Sequence, residues 1–250
     1  MGSHEDEKLK APVAAEVELH QRENLEQILI GIVSHDLRNP LNAIGLSAAA
    51  LLKFGGLDER QLRAVERIKS ATHRATRMIY DLLDLTRVRE VGGLPVERDS
   101  MDMHKVAQQA IDEIKLGFAQ REVVFSVNGD ATGEWDADRV SQVVGTLLTN
   151  ALQHSPGDSR VMVTQVGLAD EVVLSVTNGG APIAAEAMTV LFEPFHRGRG
   201  VREAGRSVGL GLFISREIVR AHGGRLEVSS NESTGTTFTA HWPKTVSQSV

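Results

Sequence analysis

The stretch richest in chemistry is Ser34-His35-Asp36-Leu37-Arg38-Asn39-Pro40-Leu41-Asn42, which sets an imidazole beside a carboxylate. A neutral imidazole held in water is a competent nucleophile. The surrounding spacing places it in water. Apolar Ile30, Val33, Leu37, Leu41, Ile44, Ala48 and Leu51 recur at steps of three and four, the pattern of a helix that packs in a bundle. His35 lies two residues from both Val33 and Leu37. At ~100° per residue that turns it about 200° from the apolar seam. Pro40 removes a backbone donor and is expected to loosen or kink the helix one turn beyond the histidine. A lone solvated histidine is the bland alternative, so the downstream residues carry the decision.

Four further runs bear chemistry, each modest alone. Thr146-Leu147-Leu148-Thr149-Asn150-Ala151-Leu152-Gln153-His154-Ser155-Pro156 ends a helix with an amide, Asn150, which reads equally as a locally bonded helix-interior Asn. Ser175-Val176-Thr177-Asn178-Gly179-Gly180-Ala181-Pro182-Ile183 ends a strand in a glycine turn. Leu191-Phe192-Glu193-Pro194-Phe195-His196-Arg197-Gly198-Arg199-Gly200 follows two aromatics with cations, as a solvated basic loop or a lid would. Ser207-Val208-Gly209-Leu210-Gly211-Leu212-Phe213-Ile214 opens a helix on Gly-x-Gly, where backbone amides can approach an anion.

The elements that must hold these residues fall into two sections. Residues 1–15 are a charged lead-in or tag, expected to be disordered. Residues 16–91 read as two long helices, the first reaching Phe54 and the second running from about Asp58 to Arg89, with a stop and N-cap signal in Phe54-Gly55-Gly56-Leu57-Asp58. One hairpin cannot bury its apolar stripe, which predicts a homodimer forming a four-helix bundle. Residues 92–99 read as a linker and first strand, Leu94 to Asp99. Residues 100–243 then alternate as α/β: a helix Met103–Phe118, a strand Val123–Val127, a polar hairpin at Gly129-Asp130, and a helix Asp138–His154. Strands Val161–Val166 and Val172–Thr177, a helix Gly211–His222 and strands Leu226–Ser229 and Thr236–His241 complete it. Residues 244–250 read as a tail.

Composition bounds the partners. The 250 residues are 41% hydrophobic and 24% charged, enough for two small domains. A net charge of −6 gives no general case for nucleic acid or an anionic membrane. The absence of cysteine excludes disulfides, cysteine-based zinc sites and thiol catalysis, and suits a reducing cytosol. No run approaches the ~20 apolar residues of a membrane span and no signal peptide opens the chain, so a cytoplasmic location is expected.

In this order, the boxes resemble those of two-component sensor histidine kinases. Ser34–Leu41 is similar to the phosphoacceptor box. The runs around Asn150, Asn178, Phe192–Phe195 and Gly209–Gly211 resemble the N, G1, F and G2 boxes, and Gly235-Thr236 resembles the closing Gly-Thr element. The resemblance spans nearly all of Glu16 to Pro243. It implies an α+β chain: a dimerising phosphotransfer hairpin, then an α/β sandwich ATP-binding domain of the gyrase and histidine-kinase type. The implied cofactors are ATP and Mg²⁺, with Asn150 the Mg²⁺ ligand. The implied nucleotide contacts are Asn150, His154, Asn178, Gly180, Ile183, Gly209, Leu210, Gly211, Leu212 and Thr236. His35 is implied as phosphoacceptor, Asp36 as general base, Arg197 as a cation at the γ-phosphate, and Asn39 as the residue that positions water for dephosphorylating a partner. That partner is the receiver domain of a response regulator, upstream of which stands a sensor domain or sensor protein outside this chain. The chain departs from the family at Thr146, where an Asn is usual, at Gln153 for a common Lys, at Asn178 for an Asp and at Pro182 for a Gly. Those departures keep a second reading open, a regulatory dimer that binds nucleotide weakly and acts as scaffold or phosphatase. A third is a conformational ATPase of the same superfamily, in which His35 would be dispensable.

Overall fold

The computed structural model describes residues 37–196 and 209–245. It divides into two compact units, Met1–Thr86 and Arg87–Val250.

In the first unit, helix α1 (residues 37–54) continues through Pro40 without a break, and α2 (Glu59–Val91) follows a four-residue turn. The turn stops α1 and starts α2 by reciprocal capping. Gln61 N–H donates to Asp58 Oδ1 at 2.8 Å, and Asp58 N–H donates to Gln61 Oε1 at 2.9 Å. Ala48 and Val65 are buried between the helices. Leu37, Ile44, Leu51 and Ile68 on the same seam stay 46–49% exposed, so one hairpin covers only part of its apolar stripe. The Arg38 guanidinium lies 4.7 Å from the Tyr80 ring centroid and ties the two helices together.

The second unit is a two-layer sandwich. A five-stranded sheet runs in the order β2-β4-β5-β7-β6: β2 (Val123–Asn128), β4 (Val161–Gly167), β5 (Glu171–Asn178), β7 (Gly235–Pro243) and β6 (Arg225–Asn231). All its pairings are antiparallel except β2 with β4. Strict alternation in β5 buries Val172, Leu174, Val176 and Asn178 on one face. Helices α3 (Met103–Gly117), α4 (Ala137–His154) and α6 (Gly211–Ala221) belong to the helical layer, in which α4 packs against both other helices and the sheet. The helix α4 buries Val140, Val143, Val144, Leu147, Leu148 and Ala151, residues spaced one helical turn apart. A short helix α5 (Ala185–Val190) lies between β5 and α6.

Several local expectations need correction. The first strand is β1 (Asp99–Asp102), not Leu94 to Asp99, and it pairs with β3 (Thr132–Trp135) as a separate two-stranded sheet. Pro95 has no N–H to give a ladder, and Glu97 N–H is taken by Asp136 Oδ2 at 3.0 Å. Gly129-Asp130 is not a hairpin turn, because β2 and β3 leave it for different sheets. Lys244 is not part of a loose tail. Its N–H donates to Asp170 O, its carbonyl accepts from Glu134 N, and its ammonium reaches Asp130 Oδ2 at 3.2 Å.

The helix ends far from the glycine boxes meet at His222, which is fully buried. Its Nδ1 faces Ile218 O at 2.8 Å, an acceptor, so Nδ1 carries the proton. Asp136 N–H donates to Nε2 at 3.1 Å, so Nε2 must offer a lone pair. Both bonds require the neutral ring. Burial accordingly holds its pKa below the usual 6.5, against the opposing pull of the Ile218 carbonyl. The unfolded chain therefore binds a proton at a pH where the folded chain does not, and stability present above about pH 6.5 is lost as pH falls below it. Thermal unfolding of the wild type between about pH 7.5 and 5.5 should show this fall, and His222→Gln should flatten it while lowering stability at neutral pH by about 1–3 kcal/mol.

Candidate functional site

The boxes of the second unit converge at one end of α4 and α6. At the first residue of α6, a Cβ on Gly211 would lie 3.1 Å from the Thr146 methyl of α4, so the helices touch where only hydrogen fits easily. One turn further along α4, Asn150 is half-buried, and among the described residues its amide has no hydrogen-bond partner. Beyond it His154 is exposed, and its carbonyl would sit 3.0 Å from a Cβ on Gly180. Gly180 also has φ 128°, so both its backbone and its neighbours demand glycine.

The sheet contributes Asn178 at the end of β5, opposite Thr236 at the start of β7. Asn178 is buried, and its amide faces Gly179 O at 2.8 Å. A carbonyl only accepts, so the Asn178 nitrogen points there and Oδ1 is left as an acceptor without a partner among the described residues. Thr236 Oγ1 is 2.7 Å from Ser230 Oγ, which accepts from Ile183 N–H at 2.9 Å. That chain fixes Ile183 and Thr236 to the same strand, β6. Leu210, buried, precedes α6, and Gly209 O accepts from Phe195 N–H at 3.0 Å. Phe195 adopts φ 64°, a strained value for a non-glycine residue, where the chain turns to bring Gly209 alongside. Phe192 packs edge-on to Phe238 and lies 5.7 Å from the Arg216 guanidinium.

The structure thus brings together Asn150, His154, Asn178, Gly180, Ile183, Gly209, Leu210, Gly211, Leu212 and Thr236 around the α4–α6 end of the sandwich. In the first unit Asn39 is exposed on α1. His35, Asp36 and Arg197 lie outside the described residues. Sequence reasoning missed Ser230 and Arg216. Ser230 is one of many strand hydroxyls, and Arg216 looks like an ordinary helical surface charge, so neither carried a signal beyond its place in an element.

The arrangement is that of an ATPase-type sandwich, with amide carbonyls that no described residue bonds beside a glycine-opened helix start. Comparison with known proteins agrees. Residues 135–246 match the family described as histidine kinase-, DNA gyrase B- and HSP90-like ATPase, and residues 25–90 match the His Kinase A (phospho-acceptor) domain. The chain is 32% identical over 220 residues to a bacteriophytochrome of Pseudomonas aeruginosa, covering 88% of this chain and 29% of that one. It is 35% identical over 202 residues to the probable sensor histidine kinase TcrY of Mycobacterium tuberculosis, covering 79% of this chain and 42% of that one. The solved catalytic domain of histidine kinase ThkA superposes with a TM-score of 0.52 at 26% identity, over 59% of this chain and 96% of that one. The chain belongs to the sensor histidine kinases, and it carries the transmitter pair of that family, the phosphoacceptor hairpin followed by the ATP-binding sandwich. It spans less than half the length of these two curated relatives.

The close approach at Gly180 makes a direct check. Gly180→Ala should lower stability in urea unfolding by about 1–3 kcal/mol. Gly157→Ala in the neighbouring loop, where an added methyl meets nothing within 4 Å, should leave the midpoint unchanged.

Proposed function

We propose that the chain transfers the γ-phosphoryl group of ATP to His35 and passes it on to an aspartate of a response-regulator receiver domain. The observation that carries this is the meeting, at one end of the sandwich, of an Asn150 amide without a partner among the described residues, the Asn178 acceptor and the Gly211 helix start. An uncharged carbonyl oxygen is a suitable Mg²⁺ ligand beside phosphates, and Asn150 supplies one that no other described residue occupies. Bound Mg²⁺ would offset charge developing on the transferring phosphoryl group. The Asn178 Oδ1 suits the adenine amino group, while Gly209 to Leu212 and the start of α6 offer backbone amides to the phosphates. Arg197 would add a cation at the γ-phosphate. Asp36 orients the His35 ring and takes its proton as the ring nitrogen bonds to phosphorus and ADP leaves. Asn39, one turn beyond His35, positions water for the reverse task, hydrolysis of the regulator's phosphoaspartate.

We assign residues 16–91 to the phosphotransfer hairpin and 100–243 to the ATP-binding domain. The uncovered seam of Leu37, Ile44, Leu51 and Ile68 supports a homodimer in which a second hairpin completes a four-helix bundle. A sensor domain or separate sensor protein supplies the input. Among the described residues no helix is long and apolar enough to cross a membrane.

One observation favours a second reading, a dimer with weak nucleotide binding. Thr146 sets a methyl against Gly211 where the family resemblance expects an Asn, so one polar group toward the nucleotide is missing. Incubation with γ-labelled ATP and Mg²⁺ separates the readings. Acid-labile, base-stable label on the wild type, absent from His35→Gln and Asn150→Asp, is the expected result. A folded wild type that takes no label would move the assignment to the scaffold or phosphatase role.

A further inference from the structure

Arg121 lies outside every box that carries the family resemblance, in the turn between α3 and β2, yet its guanidinium holds the end of α4. Nη1 donates to Leu152 O at 2.7 Å and to Ser155 O at 3.5 Å. Nη2 donates to Ser155 Oγ at 2.5 Å and to Ser159 O at 3.4 Å. Ser155 Oγ in turn donates to Ala151 O at 2.7 Å, so the hydroxyl is fixed as an acceptor for the arginine. The last carbonyls of a helix lack partners and carry its negative dipole end, which a cation satisfies on both counts. Here a single planar fork gathers acceptors from three residues, Leu152, Ser155 and Ser159, and so fixes the whole turn that joins α4 to β4.

That turn is the surface on which the Gly179-Gly180 segment rests. A Cβ on Gly180 would meet His154 O at 3.0 Å and Pro156 Cδ at 3.5 Å, and one on Gly179 would meet Ser159 Cβ at 3.8 Å. Gly179 O is also the acceptor that orients the Asn178 amide. A shift of the turn therefore moves Gly179 and Gly180, and with them Asn178 Oδ1. The phosphate end of the site, at Gly211 and Thr146, is more than one helical turn away along α4 and has its own contact.

We propose that Arg121 is a positioning residue for the adenine end of the nucleotide site, acting through the α4–β4 turn on Gly179, Gly180 and Asn178. The inference rests on the ATP-binding reading above. It differs from a general stabilising role in what it moves. Nucleotide affinity should weaken through the adenine end, equally for ADP and ATP, while the chemistry at the phosphates continues. Lysine, which presents one point charge in place of a fork, should not restore the affinity.

The test is titration of the full chain with ADP and with ATP plus Mg²⁺, for wild type, Arg121→Lys, Arg121→Met and Ser155→Ala, well below each variant's unfolding temperature. Loss of charge-assisted bonds of this kind should raise both dissociation constants by a common factor of about ten in the two Arg121 variants. Autophosphorylation at saturating ATP should stay within about twofold of wild type. Ser155→Ala should show part of the loss, and combining it with Arg121→Lys should add little, since the two act through one contact. Arg121 variants that bind ADP like wild type overturn the proposal, as does a loss confined to ATP, or Ser155→Ala and Arg121→Lys effects that simply add. A wild type that binds neither nucleotide overturns the reading of the site itself, a result distinct from any of these.

Discussion

The antiparallel pairing of α4 with α6 is the constraint on which the rest of the catalytic unit depends. It is pinned at two points. At one end Asp136 N–H bonds the neutral His222 ring, and at the other the Thr146 methyl meets Gly211. The ten residues from Asp136 to Thr146 and the eleven from Gly211 to His222 span about 15 and 16.5 Å at 1.5 Å per residue, so the two contacts are in register. Neither end could shift by a turn without losing the other. Because Asn150 and His154 continue α4 past the Thr146 contact, and Gly209 and Leu210 precede α6, the functional groups are carried on the overhang beyond the second pin. The core beneath is ordinary, with Val140, Val143, Val144 and Leu147 against the sheet, and its role is to make that register rigid.

The same node explains why residues between the hairpin and the sandwich are ordered. Asp136 caps α4 by accepting from Arg139 N–H, and its other oxygen accepts from Glu97 N–H. Arg98 Nη2 donates to Ala221 O, at the end of α6. Leu94 is buried. The linker is thus fastened to the far ends of both helices by backbone and charge-assisted bonds, and lies in the same compact unit as the sandwich.

Much of this was legible in the sequence, for physical reasons that differ by element. Strands β4, β5 and β7 announce themselves because β-branched and aromatic residues are dense over seven to nine positions and alternate places along each are buried. The start of α2 is written in Asp58 and Gln61, whose side chains can only close on each other's backbone in a helix. Strand β3 was not legible, because Thr-Gly-Glu-Trp is short and its pairing with β1 depends on partners thirty or more residues apart. The candidate nucleotide-end residues stand out because glycines and an Asn at fixed spacings have few other uses in combination. Arg121, Ser230 and Tyr80 could not, since each acts through contacts to other elements that leave no periodicity.

The departures from the family pattern become coherent once their contacts are seen. Asn178 is buried at a strand end beside Gly179 O. A carboxylate there would set a negative charge against a carbonyl in a poorly solvated place, whereas the amide converts that carbonyl into a partner and keeps an acceptor facing outward. Thr146 gives up a polar group but supplies the methyl that defines the α4–α6 approach. Pro182 has no N–H to satisfy and is exposed, and the next N–H, from Ile183, is held by Ser230. Asn178 and Thr146 thus each add a contact within the protein. On the proposed reading such a site would have fewer polar groups to spend on nucleotide, so its affinity would depend more heavily on how well the remaining acceptors are held. That dependence is what gives the turn fastened by Arg121 its weight.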